Sequence, residues 1–191
     1  MSSFIRFVGF IALGIALGLG SAWYVLDRGL SFDVLRVGPW VTRTDAGQPL
    51  ADPYTGAYIA KTGHVPLRRE EAIYFFAKTD DESRPLRAAC AYDLTGKNLK
   101  AAWWAVSVHR PDGDLITNPA ERYSFSQTTL LFDDQGSYRI SVSPSASPGN
   151  WIPTDGEGNI VLVLRLHGPN PGYVKDPASV EVPTITRGSC Q

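Results

Sequence analysis

Neither sign of charge dominates this chain. It carries 18 Lys and Arg against 19 Asp and Glu, for a formal net charge of −1. No basic field is present to draw phosphates, so nucleic acid is excluded as a partner. Histidine is scarce. His64, His109 and His167 are the full set, and none sits in an HExxH or similarly tight spacing, so no metal site and no cofactor are expected. The 2 cysteines are too few for a disulfide-dense scaffold and too far apart for a zinc site. There is no GxSxG elbow, and Ser124 and Ser126 have no partner base in sight, so no catalytic residue is assigned. The acidic, glycine-bearing run at 155–159 lacks the closing glutamate of a calcium loop, because Leu166 stands there. At 191 residues the chain is also too short for a two-domain dinucleotide enzyme.

What the sequence has is turns. Gly 18 and Pro 14 make up about one residue in six, well above average usage, which favours short strands over long helices. One segment departs from that rule. Phe7 to Leu26 is twenty residues without a charge. As a helix it would span roughly 30 Å, the thickness of a bilayer core. A secretory signal has a shorter apolar stretch, so residues 1–26 are expected to be an uncleaved signal-anchor. Small residues at Gly20, Ser21 and Ala22 keep cleavage open as the alternative. Arg28, Arg36 and Arg43 follow the span, and the positive-inside rule counts them against export, although long domains cross largely regardless of charge. The expected topology is single-pass in the cell inner membrane, with the soluble part in the periplasm. Gly14 and Gly18 form a small-xxx-small pair that would support a weak homodimer.

Residues 27–36 are expected to be a linker and 37–191 one domain. Val37 to Thr44 can be a strand carrying Trp40. Asp52 as N-cap, Pro53 after it and Gly63 as the stop mark a helix, and residues 67–72 one further turn. Strands are predicted over 72–79, 87–94, 102–109, 137–143, 160–167 and 180–186. Leu130 to Phe132 would face 137–143 across a hairpin loop. The strand 102–109 alternates, with Trp104, Val106 and Val108 on one face. The strand 160–167 is nearly all apolar, as a covered central strand would be. Seven or eight short strands at this spacing indicate an all-β sandwich with one or two short helices.

Cys90 lies in one of these strands and Cys190 is the penultimate residue. In an oxidising compartment they would pair and pin the tail to the sheet. The alternative is two unpaired thiols.

Several segments together resemble the domain of unknown function 1214 family. They are DPYTGAYIAKTG, EAIYFFAKTDDESRPL, WWAVSVHRPDGDLITNPAERYSFS, GNWIPTDGEGNIVLVLRLHGPNP and a closing VPTI. The likeness runs from about Val37 to Cys190. It implies a jelly-roll-like β fold and no activity, and in many relatives this domain follows another. Where relatives end the tryptophan strand and the RLxGP strand with tyrosine, this chain has His109 and His167. The two imidazoles would be close if those strand ends adjoin.

The residues most able to hold a ligand are Asn118, Arg122 and Tyr123, with Asn150 and Trp151. With Trp104, His109 and His167 they form the candidate pocket. Tryptophan, tyrosine and a bidentate guanidinium can cradle a small molecule or a glycan. The same residue types also set turns and satisfy buried carbonyls. The expected function is therefore a membrane-anchored, non-catalytic binding or structural β-domain. An enzyme using Arg122 and His109 in an aromatic pocket is the alternative.

Overall fold

The computed structural model describes residues 2–28, 34–45, 47–48, 52–62 and 67–191. The chain divides into two units, residues 1–33 with 45–66 and residues 34–44 with 67–191. Gly63 and His64 lie outside the described residues.

The first unit holds two helices. Helix α1 (Ser2–Arg28) contains the apolar run. Its stretch Ser3–Val25 has a mean hydropathy of 1.9 and holds no fully buried residue. It is long and apolar enough to cross a bilayer. Gly14 and Gly18 have open space beside them. Helix α2 (Pro53–Thr62) starts where the sequence places it. Asp52 Oδ1 accepts the amides of Tyr54 (2.8 Å) and Thr55 (3.2 Å), satisfying donors that a helix start leaves unpaired. The Thr55 hydroxyl also bonds Asp52 and holds its carboxyl below the ordinary value, whereas burial pushes the Asp45 carboxyl up.

The second unit is built of two sheets. Strands β1 (Val34–Val37), β2 (Trp40–Arg43), β3 (Ala72–Ala77), β5 (Ala101–His109), β6 (Ser124–Ser126) and β9 (Val161–Pro169) form the larger, in the order β1-β2-β3-β9-β5-β6. Strands β4 (Cys90–Lys97), β7 (Ser137–Ser143), β8 (Asn150–Pro153) and β10 (Thr184–Cys190) form the smaller, in the order β10-β4-β7-β8. All described pairs are antiparallel except β7 with β8. A five-residue helix, α3 (Pro171–Lys175), and a 3-10 turn (Pro177–Ser179) precede β10.

Register builds the core. Across β3, β9 and β5 three rows align: Ile73–Leu166–Trp104, Phe75–Leu164–Val106 and Ala77–Leu162–Val108. Each of these residues is at most 3% exposed. They meet Tyr92 and Leu94 of β4, Tyr138, Ile140 and Val142 of β7, and Ile185 of β10 in one hydrophobic cluster. Trp104 bridges the sheets, its ring 5.1 Å from that of Tyr138. Gly168 ends β9 at φ +55°, and a Cβ there would lie 2.9 Å from Ala102 Cβ. Both the left-handed backbone and the close approach require glycine in the RLxGP motif.

Several boundaries differ from the sequence expectation: β3 ends at Ala77, β4 runs from Cys90 to Lys97 where 87–94 was expected, and β6 and β8 were not expected as strands. The expected strand 37–44 is a hairpin, β1 and β2, turned by Gly38 at φ +57° and Pro39. β1 begins inside the segment expected as a linker. The last strand starts at Thr184 rather than Val180, because Pro183 cannot donate to a ladder. The segment Leu130–Phe132 contributes one bridge, Phe132 to Tyr138, instead of a strand.

The Tyr138 hydroxyl is buried and has no hydrogen-bond partner among the described residues. Burial drives its phenol well above the ordinary value. An unpaired buried hydroxyl costs about 1–3 kcal/mol. Tyr138→Phe should therefore leave stability unchanged or raise it by about 1 kcal/mol in urea denaturation, since the ring contacts with Trp104 and Phe132 remain. A clear loss of stability would mean that the hydroxyl is bonded.

Candidate functional site

Each candidate residue is positioned by its strand and by what its polar atoms bond. Trp104 is fully buried on the inner face of β5, and its Nε1 donates to Asn98 Oδ1 at 2.8 Å. It belongs to the core and reaches no surface.

His109 closes β5 at 9% exposure. Its Nδ1 lies 2.9 Å from the Gly113 carbonyl, which can only accept, so Nδ1 carries the proton. Nε2 then accepts from Ser107 Oγ at 2.8 Å and from Arg165 Nη2 at 3.3 Å. The imidazole fastens the turn at Pro111–Gly113 to the sheet.

His167 is half-buried on β9, with its ring 5.4 Å from Trp103 and 6.1 Å from Tyr74. The expected closeness of the two imidazoles is corrected by register. β5 and β9 are antiparallel, so His167 faces Trp103 and His109 faces Val161. Six residues of extended chain separate the two levels, on the order of 20 Å.

Asn118 is 6% exposed and shapes its own loop. Its Nδ2 donates to the carbonyls of Ile116 (3.0 Å) and Arg122 (3.1 Å), and its Oδ1 accepts the Arg122 amide at 3.1 Å. This bonding holds Glu121 at φ +49°. Arg122 projects from that loop over the Phe125 ring at 5.7 Å, and its Nη1 donates to the Trp151 carbonyl at 3.3 Å. Tyr123 is half-buried, and its carbonyl accepts the Val108 amide.

Asn150 is also 6% exposed and bonds Leu131 and Arg139. Its Oδ1 accepts the Leu131 amide at 2.8 Å, and its Nδ2 donates to the Leu131 and Arg139 carbonyls, both at 2.9 Å. The side chain thus imitates a strand and carries Leu130–Phe132 alongside β7. Trp151 turns its Nε1 onto the carbonyl and hydroxyl of Ser143, each at 3.1 Å. The structure therefore brings Asn118, Arg122, Tyr123 and the Trp151 backbone together. It places Trp104 in the core, Asn150 under a neighbouring loop, and the two histidines at opposite levels of the large sheet.

Two shallow grooves among the described residues lie apart from Arg122, and one of them takes in Asn150. One, on the small sheet, is lined by Asp93, Arg139, Ser141, Ser147, Pro148 and Asn150. The other lies beside Lys78, Pro85 and Pro111. Neither includes His109, Arg122 or Trp151. Among the described residues no three His, Cys, Asp or Glu side chains converge as metal ligands would. Asp80 is the most deeply placed carboxylate. Burial alone would raise its pKa. The Arg84 amide and guanidinium and the Glu82 amide outweigh burial and hold the carboxyl below its ordinary value. These bonds fix the left-handed Ser83 in the 80–84 loop.

The expected pairing of the two cysteines is present, but the guanidinium beside it was not visible in the sequence. Cys90 and Cys190 are joined by a disulfide and face each other directly across β4 and β10. Arg187 Nη2 lies 2.8 Å from Cys90 Sγ and 3.1 Å from Cys190 Sγ, and its Nε is 3.3 Å from Cys190 Sγ. The spacing of three residues between Arg187 and Cys190 was the available signal. It becomes informative only once the bulge between them in β10 is known.

Against known proteins, the family model described as protein of unknown function (DUF1214) matches residues 71–171. Among solved structures, the VPA0106 protein from Vibrio parahaemolyticus is similar at a TM-score of 0.65 and 18% identity, over 93% of this chain and 44% of that one. An uncharacterized protein from Burkholderia cenocepacia is similar at a TM-score of 0.43 and 19% identity, over 63% of this chain and 30% of that one. The chain thus spans less than half the length of these relatives, and the first likeness is one of fold. No curated protein matches the sequence.

Proposed function

The chain belongs to the DUF1214 family, whose description carries no activity, and we propose that it is a membrane-anchored envelope protein whose β-domain serves as a non-catalytic structural or binding module. The carrying observation is how the candidate residues spend their polar groups. Asn118, Asn150, Trp104, Trp151, Arg122 and His109 all bond other parts of the β-domain, mostly backbone. Groups committed in this way set loop geometry, and a ligand would have to displace them at a cost of about 1–3 kcal/mol each.

In this proposal α1 is a single-pass anchor in the inner membrane and the β-domain is periplasmic. Two features support that placement: the uncovered apolar helix and the Cys90–Cys190 bridge, a bond that persists in oxidising compartments. The two stacked sheets and the family resemblance support a jelly-roll arrangement of the strands.

Alkaline phosphatase, active only after export, fused behind Gln191 tests the placement. An active fusion is expected. An inactive one, with a cytoplasmic reporter active at the same point, overturns it. Thermal-shift screening of the full chain in detergent against small saccharides and carboxylates separates the structural reading from the binding one, since anything that binds the folded state raises its melting temperature. A saccharide that stabilises the wild type but not Arg122→Ala would move the function to ligand binding at Arg122.

A further inference from the structure

The two sulfurs of the Cys90–Cys190 bond are not equivalent. Cys90, on β4 beside β10, is 1% exposed and belongs to the core cluster. Cys190 is exposed, one residue from the chain end. Of the two residues, Cys190 is the one that faces a thiol arriving from solvent. Exchange proceeds by attack of a thiolate on one sulfur and departure of the other as a thiolate, and it is faster when the departing thiolate is stabilised. The Arg187 guanidinium is 2.8 Å from Cys90 Sγ, the sulfur that would depart, and also 3.1 Å from Cys190 Sγ, so it favours a thiolate on either sulfur and the difference in exposure selects which is attacked. Among the described residues no carboxylate pairs with Arg187, whose other neighbour is the Tyr92 ring at 6.0 Å. A neighbouring cation of this kind lowers the pKa of a cysteine and favours its thiolate.

We propose that Cys90–Cys190 is an exchangeable disulfide through which the chain forms a transient mixed disulfide with a dithiol oxidoreductase, with Cys190 as the attacked sulfur. In the first step a thiolate of the partner attacks Cys190 Sγ. The Cys190–Cys90 bond breaks, the partner–Cys190 bond forms, and the electron pair leaves on Cys90 Sγ beside Arg187. In the second step the partner's other thiol loses its proton and attacks its own sulfur in the mixed disulfide, releasing Cys190. The partner dithiol is oxidised to a disulfide, the Cys90–Cys190 disulfide is reduced to two thiols, and the two protons of the dithiol end on those thiols. Run in reverse, Cys90 is the resolving thiolate that closes the bond again. Arg187 is a positioning residue in both directions, since it acts through the charge on Cys90.

The test uses the oxidised full chain in detergent micelles, with reduced glutathione as the probe thiol. After acid quenching, peptide mapping locates the glutathione adduct. The expected adduct is on Cys190. An adduct on Cys90, or reduction that occurs only at denaturant concentrations that unfold the domain, overturns the proposal. This reading needs no variant. The rate of reduction by dithiothreitol is then compared in wild type, Arg187→Lys and Arg187→Gln, each checked for the wild-type melting temperature when oxidised. Arg187→Gln should be slower by roughly five- to tenfold, as a leaving thiol is when it loses a neighbouring cation, and Arg187→Lys should stay near wild type. Equal rates in wild type and Arg187→Gln would remove Arg187 from the mechanism and with it the proposal.

Discussion

Replacing Trp104 by alanine is expected to cost about 3–5 kcal/mol of stability, the usual range for deleting a fully buried tryptophan. Trp104 is 0% exposed, stands in the central row with Leu166 and Ile73, and stacks on Tyr138 of the facing sheet. Alanine would also leave Asn98 Oδ1 without its donor. At roughly 2–4 °C per kcal/mol for a domain of this size, the melting temperature should fall by on the order of 10 °C. The neighbouring Trp103, 38% exposed on the opposite face, is the control. Trp103→Ala should cost about 1 kcal/mol, as a half-exposed side chain does. Thermal unfolding of both variants without any ligand is the measurement. Equal losses would contradict the assignment of Trp104 to the core.

Removing the cross-link is expected to have the second largest effect. Cys90 and Cys190 are 100 residues apart, and closing a loop of about that length restricts the unfolded chain by up to roughly 4.7 kcal/mol in the chain-entropy account. Measured effects usually fall below that figure, because unfolded chains keep some structure. The pair Cys90→Ala with Cys190→Ala should therefore lose about 2–4 kcal/mol, or roughly 5–15 °C in melting temperature. Folding should survive, because Thr184–Arg187 still pair with β4 and Ile185 stays fully buried. Fraying should add to this at the end of the strand, where Gln191 meets Ala89. Hydrogen exchange should therefore rise at the core amides that exchange by global unfolding, and rise further after residue 187. An unchanged melting temperature would mean that the bond does not constrain the unfolded chain.

The β-rich class, the helix at 53–62 and the alternation of β5 were legible because each rests on neighbours in sequence. Asp52 caps a helix within three residues of itself. Trp104, Val106 and Val108 share a face because side chains alternate along any strand. The candidate pocket was less legible. Asn150 and Arg122 are polar residues in loop-rich sequence, and the sequence alone allows each to face a ligand or a backbone. Asn150 faces Leu131, 19 residues away, and no local pattern encodes that choice.

By itself, then, the sequence determined an uncharged N-terminal stretch long enough for a bilayer, a two-cysteine chain with the second near its end, and a family likeness carried by tryptophan, proline and glycine motifs. Composition and short-range periodicity are enough for these, because they depend on chain chemistry and on dihedral preferences of a few residues. The tertiary structure decided which strands neighbour one another and in what register. That choice set His109 and His167 at opposite levels of one sheet, buried Cys90 while leaving Cys190 exposed, and brought Arg187 onto both sulfurs through a bulge in β10. Register is fixed by burial of one face of each strand against partners tens of residues away. The chemistry at those points therefore exists only once the sheets have closed on their core.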